Sequence, residues 1–328
     1  MVDPRLITTN PYPVDIAAPD ISAYKKGYDG RGEQAVDYIH TFTTKKAGPH
    51  VMISAVVHGN ELCGANVVDW LLTNDIRPLS GTLSLGFMNV DAFLSYDPSH
   101  PDLSRWVDED FNRIWSPGTM DDPDRPQTSE ICRGKAVRHV IAEVDLLLDI
   151  HSMHKPCDPL MMAGLCAKGR QLAQSVDMGM RTVTDQGHKE GMRMRDFGAF
   201  SDPERSQNAL LVECGQHWDK RTQDVAFETM VRFLRCTGIM EEEFGAEWLE
   251  NPLAGPKDFL DVQDIITVET EHFTFAKDWQ GLEELPKGQL IGTDQGTMYK
   301  APFDPTVLIM PDKRLIPGKT AVRLAKKL

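Results

Sequence analysis

His58 and Glu61 stand three residues apart, directly after the apolar run Val51-Met52-Ile53-Ser54-Ala55-Val56-Val57 and before Leu62, Ala65, Val68, Leu71 and Leu72 at helical spacing. A β-branched run, a tight turn and a helix read as the opening of a β–α–β unit. At that turn one neutral imidazole and one carboxylate can face the same point. A second apolar run, Leu146-Leu147-Leu148-Asp149-Ile150, ends at His151, and a third, Ala209-Leu210-Leu211-Val212, ends at Glu213. In parallel α/β sheets ligands bind outside the carboxyl ends of the strands, which would bring these groups together. Two imidazoles and one carboxylate are the three-ligand set of hydrolytic zinc sites, which keep the fourth position for water. Such an ion lowers the pKa of its water towards ~7 and stabilises an oxyanion. A nearby buried carboxylate is suited to moving the proton. Asp149 lies on the same strand face as His151 and could orient an imidazole.

A lone His-x-x-Glu occurs by chance in many chains. The further His and Glu, each closing its own buried strand, make the metal reading the stronger one. His154 forms a His-x-x-His with His151 and is a rival ligand; it ranks second because the strand is expected to end at His151. His40, His50, His100, His139, His188 and His272 have no partner pattern and read as surface or packing residues.

These groups need a scaffold. Strand candidates at 37–42, 83–90 and 159–162, and helix candidates at 129–144, 169–180 and 224–234, alternate along about two hundred residues. That pattern predicts an α/β fold: a mostly parallel sheet with helices on both faces. Near Asn251-Pro252-Leu253-Ala254-Gly255-Pro256 the composition shifts to short β-type runs between turns. The expected organisation is a catalytic domain over residues 1–250 and a small all-β domain over 251–328 lying across the cleft.

The chain has 328 residues, 41% hydrophobic and 26% charged, which excludes a disordered, collagen-like or coiled-coil protein. At that size it buries enough surface to fold without a structural metal, so a metal signal points to chemistry. The charge balance, 35 − 49 = −14, argues against nucleic acid and acidic membrane surfaces, although a local basic pocket could still bind a carboxylate. No run approaches the ~18 apolar residues of a membrane span. The six cysteines, Cys63, Cys132, Cys157, Cys166, Cys214 and Cys236, have no framework spacing, and Met1-Val2-Asp3-Pro4-Arg5 leads into no apolar signal segment. Reduced thiols in a cytoplasmic enzyme are expected. A homo-oligomer stays open.

The blocks His58-Gly59-Asn60-Glu61, Asp110-Phe111-Asn112-Arg113, Asp149-Ile150-His151-Ser152 and Val212-Glu213 occur in the order seen in zinc carboxypeptidase-like enzymes. With the trailing β-region, over roughly residues 48 to 315, the chain most resembles the succinylglutamate desuccinylase/aspartoacylase family. The resemblance implies one Zn2+ per chain on His58, Glu61 and His151, with Glu213 as general base and acid. It implies that Arg105 polarises the scissile carbonyl, that Asn112 and Arg113 grip a substrate carboxylate, and that Arg205 is a further anion-binding arginine. A plainer role for Arg105 and Arg113 is an ion pair with Asp108, Glu109 or Asp110. Aspartoacylase has a pocket tyrosine in its tail domain, whereas the matching stretch here, residues 302–308, has none; Tyr299 is the nearest substitute and otherwise reads as a strand aromatic. The tail is also similar in shape to lipoyl domains, but Lys300 follows Tyr299 rather than a modification-site methionine.

The expected activity is a zinc-dependent amidohydrolase cleaving a small N-acyl amino acid or related carboxylate-bearing substrate. The alternatives are a metallocarboxypeptidase acting on short peptides and a non-catalytic binding module on the same fold.

Overall fold

Residues 12–30, 35–185, 187, 190–312 and 314–328 are described in a computed structural model. The opening residues 1–11 and His188 lie outside them. In chain order the strands of the first part are β1 (Ile39–Thr43), β2 (His50–Ala55), β3 (Thr82–Phe87), β4 (Leu146–Met153), β5 (Leu160–Met162), β6 (Arg181–Thr184) and β7 (Asn208–Gln216). Its helices are α1 (Leu62–Thr73), α2 (Val90–Leu94), α3 (Pro117–Met120), α4 (Ser129–Ala142), α5 (Ala167–Val176) and α6 (Lys220–Cys236). The second part adds β8 (Phe259–Thr267), β9 (Thr274–Phe275), β10 (Glu284–Leu285), β11 (Leu290–Asp294), β12 (Thr297–Lys300), β13 (Thr306–Ile309) and β14 (Thr320–Lys327).

The large sheet has the order β1-β3-β2-β4-β7-β5-β6-β8-β14-β13-β10. Its centre, β3-β2-β4-β7, is parallel, and so are β5-β6 and β6-β8. This is the expected α/β sheet. Strand β5 runs antiparallel to β7, a reversal that no periodicity in the sequence could announce. Strands β8, β14, β13 and β10 extend the same sheet, while β12-β11-β9 forms a separate three-stranded sheet. The β-rich tail is therefore hydrogen-bonded to the α/β part through β6 and β8.

Alternation along the strands sorts the two faces. Val51, Ile53, Leu148, Ile150, Leu210 and Val212 pack in one cluster with residues of α1, α5 and α6. Met52, Leu147 and Ala209 point the other way, onto Ile131, Val137 and Ile141 of α4. The Thr128 hydroxyl accepts from Ile131 N at 3.1 Å and caps α4 at its start. Asp149, His151 and Glu213 share the parity of Leu147 and Ala209, so they face the α4 side. There the sheet's carboxyl ends open into a cavity of about 660 Å³, within the usual range for small-molecule sites. Among the described residues no helix is long and apolar enough to cross a membrane.

Candidate metal centre

Strand β2 delivers His58 through a turn with little room. Val56 is fully buried with φ 53°, a left-handed conformation costly for a β-branched residue. A Cβ on Gly59 would lie 2.4 Å from both the Ala92 carbonyl carbon and the Ser104 carbonyl oxygen, so only glycine fits. Gly59 N donates to the Arg105 carbonyl at 3.2 Å, which ties the turn to the segment carrying the site's arginines. Glu61 then stands at the first turn of α1.

His58, Glu61 and His151 are all buried, and one candidate ligand atom from each lies within 4.8 Å of the others. Nδ1 of His58 is 2.7 Å from Glu61 Oε1, and Nδ1 of His151 is 2.9 Å from Glu61 Oε2. The second approach is misaligned for hydrogen bonding, so Glu61 Oε2 is buried without a hydrogen-bond partner. A cation bound there would supply what that oxygen lacks. The donor set of two imidazoles and a carboxylate fits zinc.

The remaining imidazole nitrogens are held. His151 Nε2 lies 2.9 Å from Asp149 Oδ2, and Ser54 donates to the other Asp149 oxygen at 2.7 Å. His58 Nε2 lies 3.0 Å from Asp110 Oδ1. Asp149 accepts from His151 only if Nε2 carries the proton, which leaves Nδ1 free for a metal, while His58 Nε2 is shared between Asp110 and the Arg105 guanidinium at 3.0 Å. Burial lowers the His151 pKa, but Asp149 and Glu61 outweigh it and hold the ring well above its ordinary value. Burial raises Glu61, yet His58 and His151 bring it well below the usual carboxylate range.

Glu213 is the register partner of His151 across the parallel β4–β7 pair, so both side chains project to the same side. It lines the cavity, and its Oε2 is buried without a hydrogen-bond partner. Burial pushes its carboxyl up to about 8, opposed by His151 and reinforced by Glu61.

Arg105 closes a short 3-10 turn, Pro101–Arg105. Its guanidinium lies 3.8 Å from Glu61 Oε1 and 3.6 Å from Asp110 Oδ2. Arg113 also reaches Asp110, at 3.9 Å, and Glu190, at 3.9 Å. The plain ion-pair reading of both arginines thus holds alongside a place in the cavity wall. Arg113 Nη1 donates to the Asn112 carbonyl, while its Nε, the atom that faces Glu190, is buried without a hydrogen bond. Asn112 spends its side-chain oxygen on Met194 N at 2.9 Å.

Arg205 is a correction. Its side chain is 69% exposed, 3.9 Å from Asp202, and does not line the cavity. It precedes β7 and so sits at the amino end of the strand whose carboxyl end carries Glu213, roughly 25 Å away at ~3.3 Å per residue. His154 is not in the ligand group: although β4 continues to Met153, its ring turns to Asp102 at 3.2 Å. Tyr299 packs on Phe273 with ring centroids 5.8 Å apart and does not line the cavity.

Some residues of the site escaped the sequence reading. His217 is buried against Ser152 Oγ at 2.8 Å, beside the strand that carries His151, and burial holds its pKa well below the ordinary value. Glu130, fully buried at the start of α4, accepts from the backbone N–H groups of Val107, Asp108 and Glu109 and from Asn89 Nδ2. It thereby pins the loop between Arg105 and Asp110. Arg193, Arg314 and Arg323 also line the cavity. Arg323 stands between Val322 and Leu324 in an apolar strand, a charge out of pattern that could have drawn attention.

The profile of the succinylglutamate desuccinylase/aspartoacylase catalytic domain matches residues 47–237, more than half of the chain, and spans the ligand group and Glu213. The chain belongs to this family. Members of the succinylglutamate desuccinylase/aspartoacylase family are zinc-dependent hydrolases of N-acyl amino acids. The chain is 22% identical over 305 residues to the succinylglutamate desuccinylase of Pseudoalteromonas atlantica, covering 87% of this chain and 83% of that one. The succinylglutamate desuccinylase of Vibrio parahaemolyticus superposes with a TM-score of 0.66 at 13% identity, over 89% of this chain and 86% of the other. The ectoine utilization protein EutE of Ruegeria pomeroyi gives 0.60 at 18% identity over 89% of each chain. Murine aminoacylase 3 gives 0.59 at 16% identity over 87% and 97%. At these identities the likeness establishes the shared fold.

Proposed function

We propose that this protein is a zinc-dependent amidohydrolase that removes the acyl group from a small N-acyl amino acid or a related carboxylate-bearing amide. The observation that carries the reading is the pairing of Glu213 with His151 on the wall of the cavity that also holds His58 and Glu61. His58, Glu61 and His151 would hold the ion, and zinc bound there lowers the pKa of a water towards ~7 and stabilises an oxyanion.

Glu213 acts as general base and then general acid. Its carboxyl takes a proton from the attacking water and passes it to the leaving nitrogen. Burial raises it to about 8, and a neighbouring cation draws it back towards neutrality, where a carboxyl can both accept and return a proton. Arg105, aligned by Asp110, places fixed positive charge at the scissile carbonyl. The Nε of Arg113, which makes no hydrogen bond, and the side-chain amide N–H of Asn112 anchor the substrate carboxylate. Residues 251–328 act as a cap: Trp279, Gln280, Pro311 and Arg314 line the cavity and leave room for a small molecule. That favours a deacylase over a carboxypeptidase working on longer chains.

The test is a panel of N-acetyl, N-formyl and N-succinyl amino acids with and without chelator, beside peptides of five or more residues. Chelator-sensitive cleavage of acyl amino acids is expected. Release of C-terminal residues from the peptides instead would establish a carboxypeptidase, and zinc binding without any turnover would establish a binding module.

A further inference from the structure

Arg105 and Asp110 both reach His58 Nε2, each at 3.0 Å. Of the residues between them, Val107 is 41% exposed and Asp108 is exposed as well, so packing alone does not hold the stretch. What fixes it lies underneath, in the first turn of α4. Glu130 reads in the sequence as an ordinary acid at a helix start, favourable there through the helix dipole. In the fold it is fully buried. A buried carboxylate is costly unless hydrogen bonds meet it, and here four N–H groups do. Val107 N donates to its Oε1 at 2.7 Å, and Asp108 N and Glu109 N donate to its Oε2 at 3.1 and 3.3 Å. Asn89 Nδ2 also donates to Oε1, at 3.1 Å. Successive backbone amides turned onto one anion form a nest.

The attachment is reciprocal. Asp108 Oδ2 accepts from Ser129 N at 2.8 Å, and Glu109 Oε1 accepts from the Thr128 hydroxyl at 2.7 Å. The helix is itself fastened to the sheet, because Arg133 donates to the Phe87 and Met88 carbonyls at the end of β3, each at 2.7 Å. Asn112 and Arg113, beyond Asp110, are held separately: Met194 N donates to Asn112 Oδ1, and Ile114 bridges to Met192. The grip of Glu130 therefore acts on the stretch from Arg105 to Asp110 and not on the carboxylate anchor.

We infer that Glu130 is a positioning residue: its buried carboxylate fixes the backbone of residues 107–109 and so sets the placement of Arg105 beside His58 and the scissile carbonyl. The inference rests on the deacylase reading for what Arg105 polarises, but the clamp itself is tested apart from turnover. Loosening it slows the chemical step and leaves substrate anchoring in place.

Glu130→Gln, in the zinc-loaded full chain, keeps one accepting oxygen and turns an NH2 group towards the amides of the loop. With the acyl amino acid the protein cleaves best, kcat should fall roughly 10–100-fold, the scale of a group misplaced by about 1 Å, while KM stays within about threefold. A raised KM with unchanged kcat overturns the inference, and so does a lowered melting temperature with unchanged kcat. Arg105→Ala completes a double-mutant cycle. Adding Glu130→Gln to Arg105→Ala should cost less than about threefold more, because residues acting through one network do not add. Full additivity overturns the inference.

Amide hydrogen exchange, which needs no catalysis, is the second arm. The amides of residues 107–109 should exchange about tenfold faster or more in Glu130→Gln, with the sheet unchanged. Equal exchange in both proteins overturns the clamp. Faster loop exchange in a protein that cleaves no acyl amino acid supports the clamp and counts against the deacylase reading alone. Should Glu130→Gln fail to fold, Glu130→Asp carries the test. It keeps the charge and draws the oxygens back by one methylene, so a kcat loss of about threefold or more at constant KM is expected, and none overturns the proposal.

Discussion

Asp149→Asn isolates how the protein tunes its candidate metal ligand. Asp149 is fully buried and lies between the His151 Nε2–H, at 2.9 Å, and the Ser54 hydroxyl, at 2.7 Å. Asparagine keeps the shape. Its carbonyl can still accept from His151, and its amide can donate to Ser54 once that hydroxyl rotates. What disappears is one negative charge behind the ring, and with it part of the basicity of Nδ1. Partners of this kind are worth about 10–100-fold in metal affinity, or roughly 1.4–2.7 kcal/mol. Competition titration with a chromophoric zinc chelator reads the loss directly, and affinity within twofold of wild type would refute the reasoning.

The same substitution has a pH signature in the metal-stripped protein. His151 has a folded pKa well above its ordinary 6.5, raised by Asp149 and Glu61 against burial, with His58 and Glu213 also facing the group. A raised histidine pKa stabilises the fold fully below the unfolded value and loses that contribution as pH climbs through the folded value. Stability of the metal-stripped wild type should therefore decline as pH rises above about 6.5. Asp149→Asn should flatten that slope, because one of the two charges that hold the proton is gone. Denaturant midpoints at several pH values check this, and a slope unaltered by the substitution would count against it.

Three further outcomes are expected. Glu213→Gln should keep zinc within a few-fold in affinity yet lose roughly 10²–10⁴ in kcat; an unchanged kcat would remove Glu213 from the mechanism. His151→Ala should lose zinc at low free metal while His154→Ala retains it, measured by metal content after dialysis, and the reverse pattern would make His154 the ligand. Arg113→Ala should raise KM for substrates with a free carboxylate more than for their methyl esters, and equal losses on both would contradict the anchoring role.

Much of the site was legible before any fold was known. Each candidate ligand closes or follows a strand buried on both faces, and such strands are recognisable as unbroken β-branched and apolar runs. His58, Glu61, His151 and Glu213 announced themselves because a polar group at the end of such a run is out of pattern. Parity along β4 also placed Asp149 behind His151, as found. The loop arginines were harder. Arg105 and Arg113 came from the resemblance alone, and for Arg205 the same reasoning failed, since residue spacing before a strand does not say at which end of the sheet a side chain emerges.

What the chain alone determined is local: which runs become buried strands, which residues interrupt them, and which ligand chemistry those interruptions can supply. Only the tertiary structure decided the partnerships, because pairing of strands distant in sequence depends on packing over the whole sheet. It laid β5 antiparallel beside β7, joined the tail to the catalytic sheet through β6 and β8, and set His217 behind Ser152. It also carried Arg323 across the length of the chain to Asp185 at the cavity wall. Periodicity records whether a side chain faces inward, but which groups meet there is set by the three-dimensional path of the backbone.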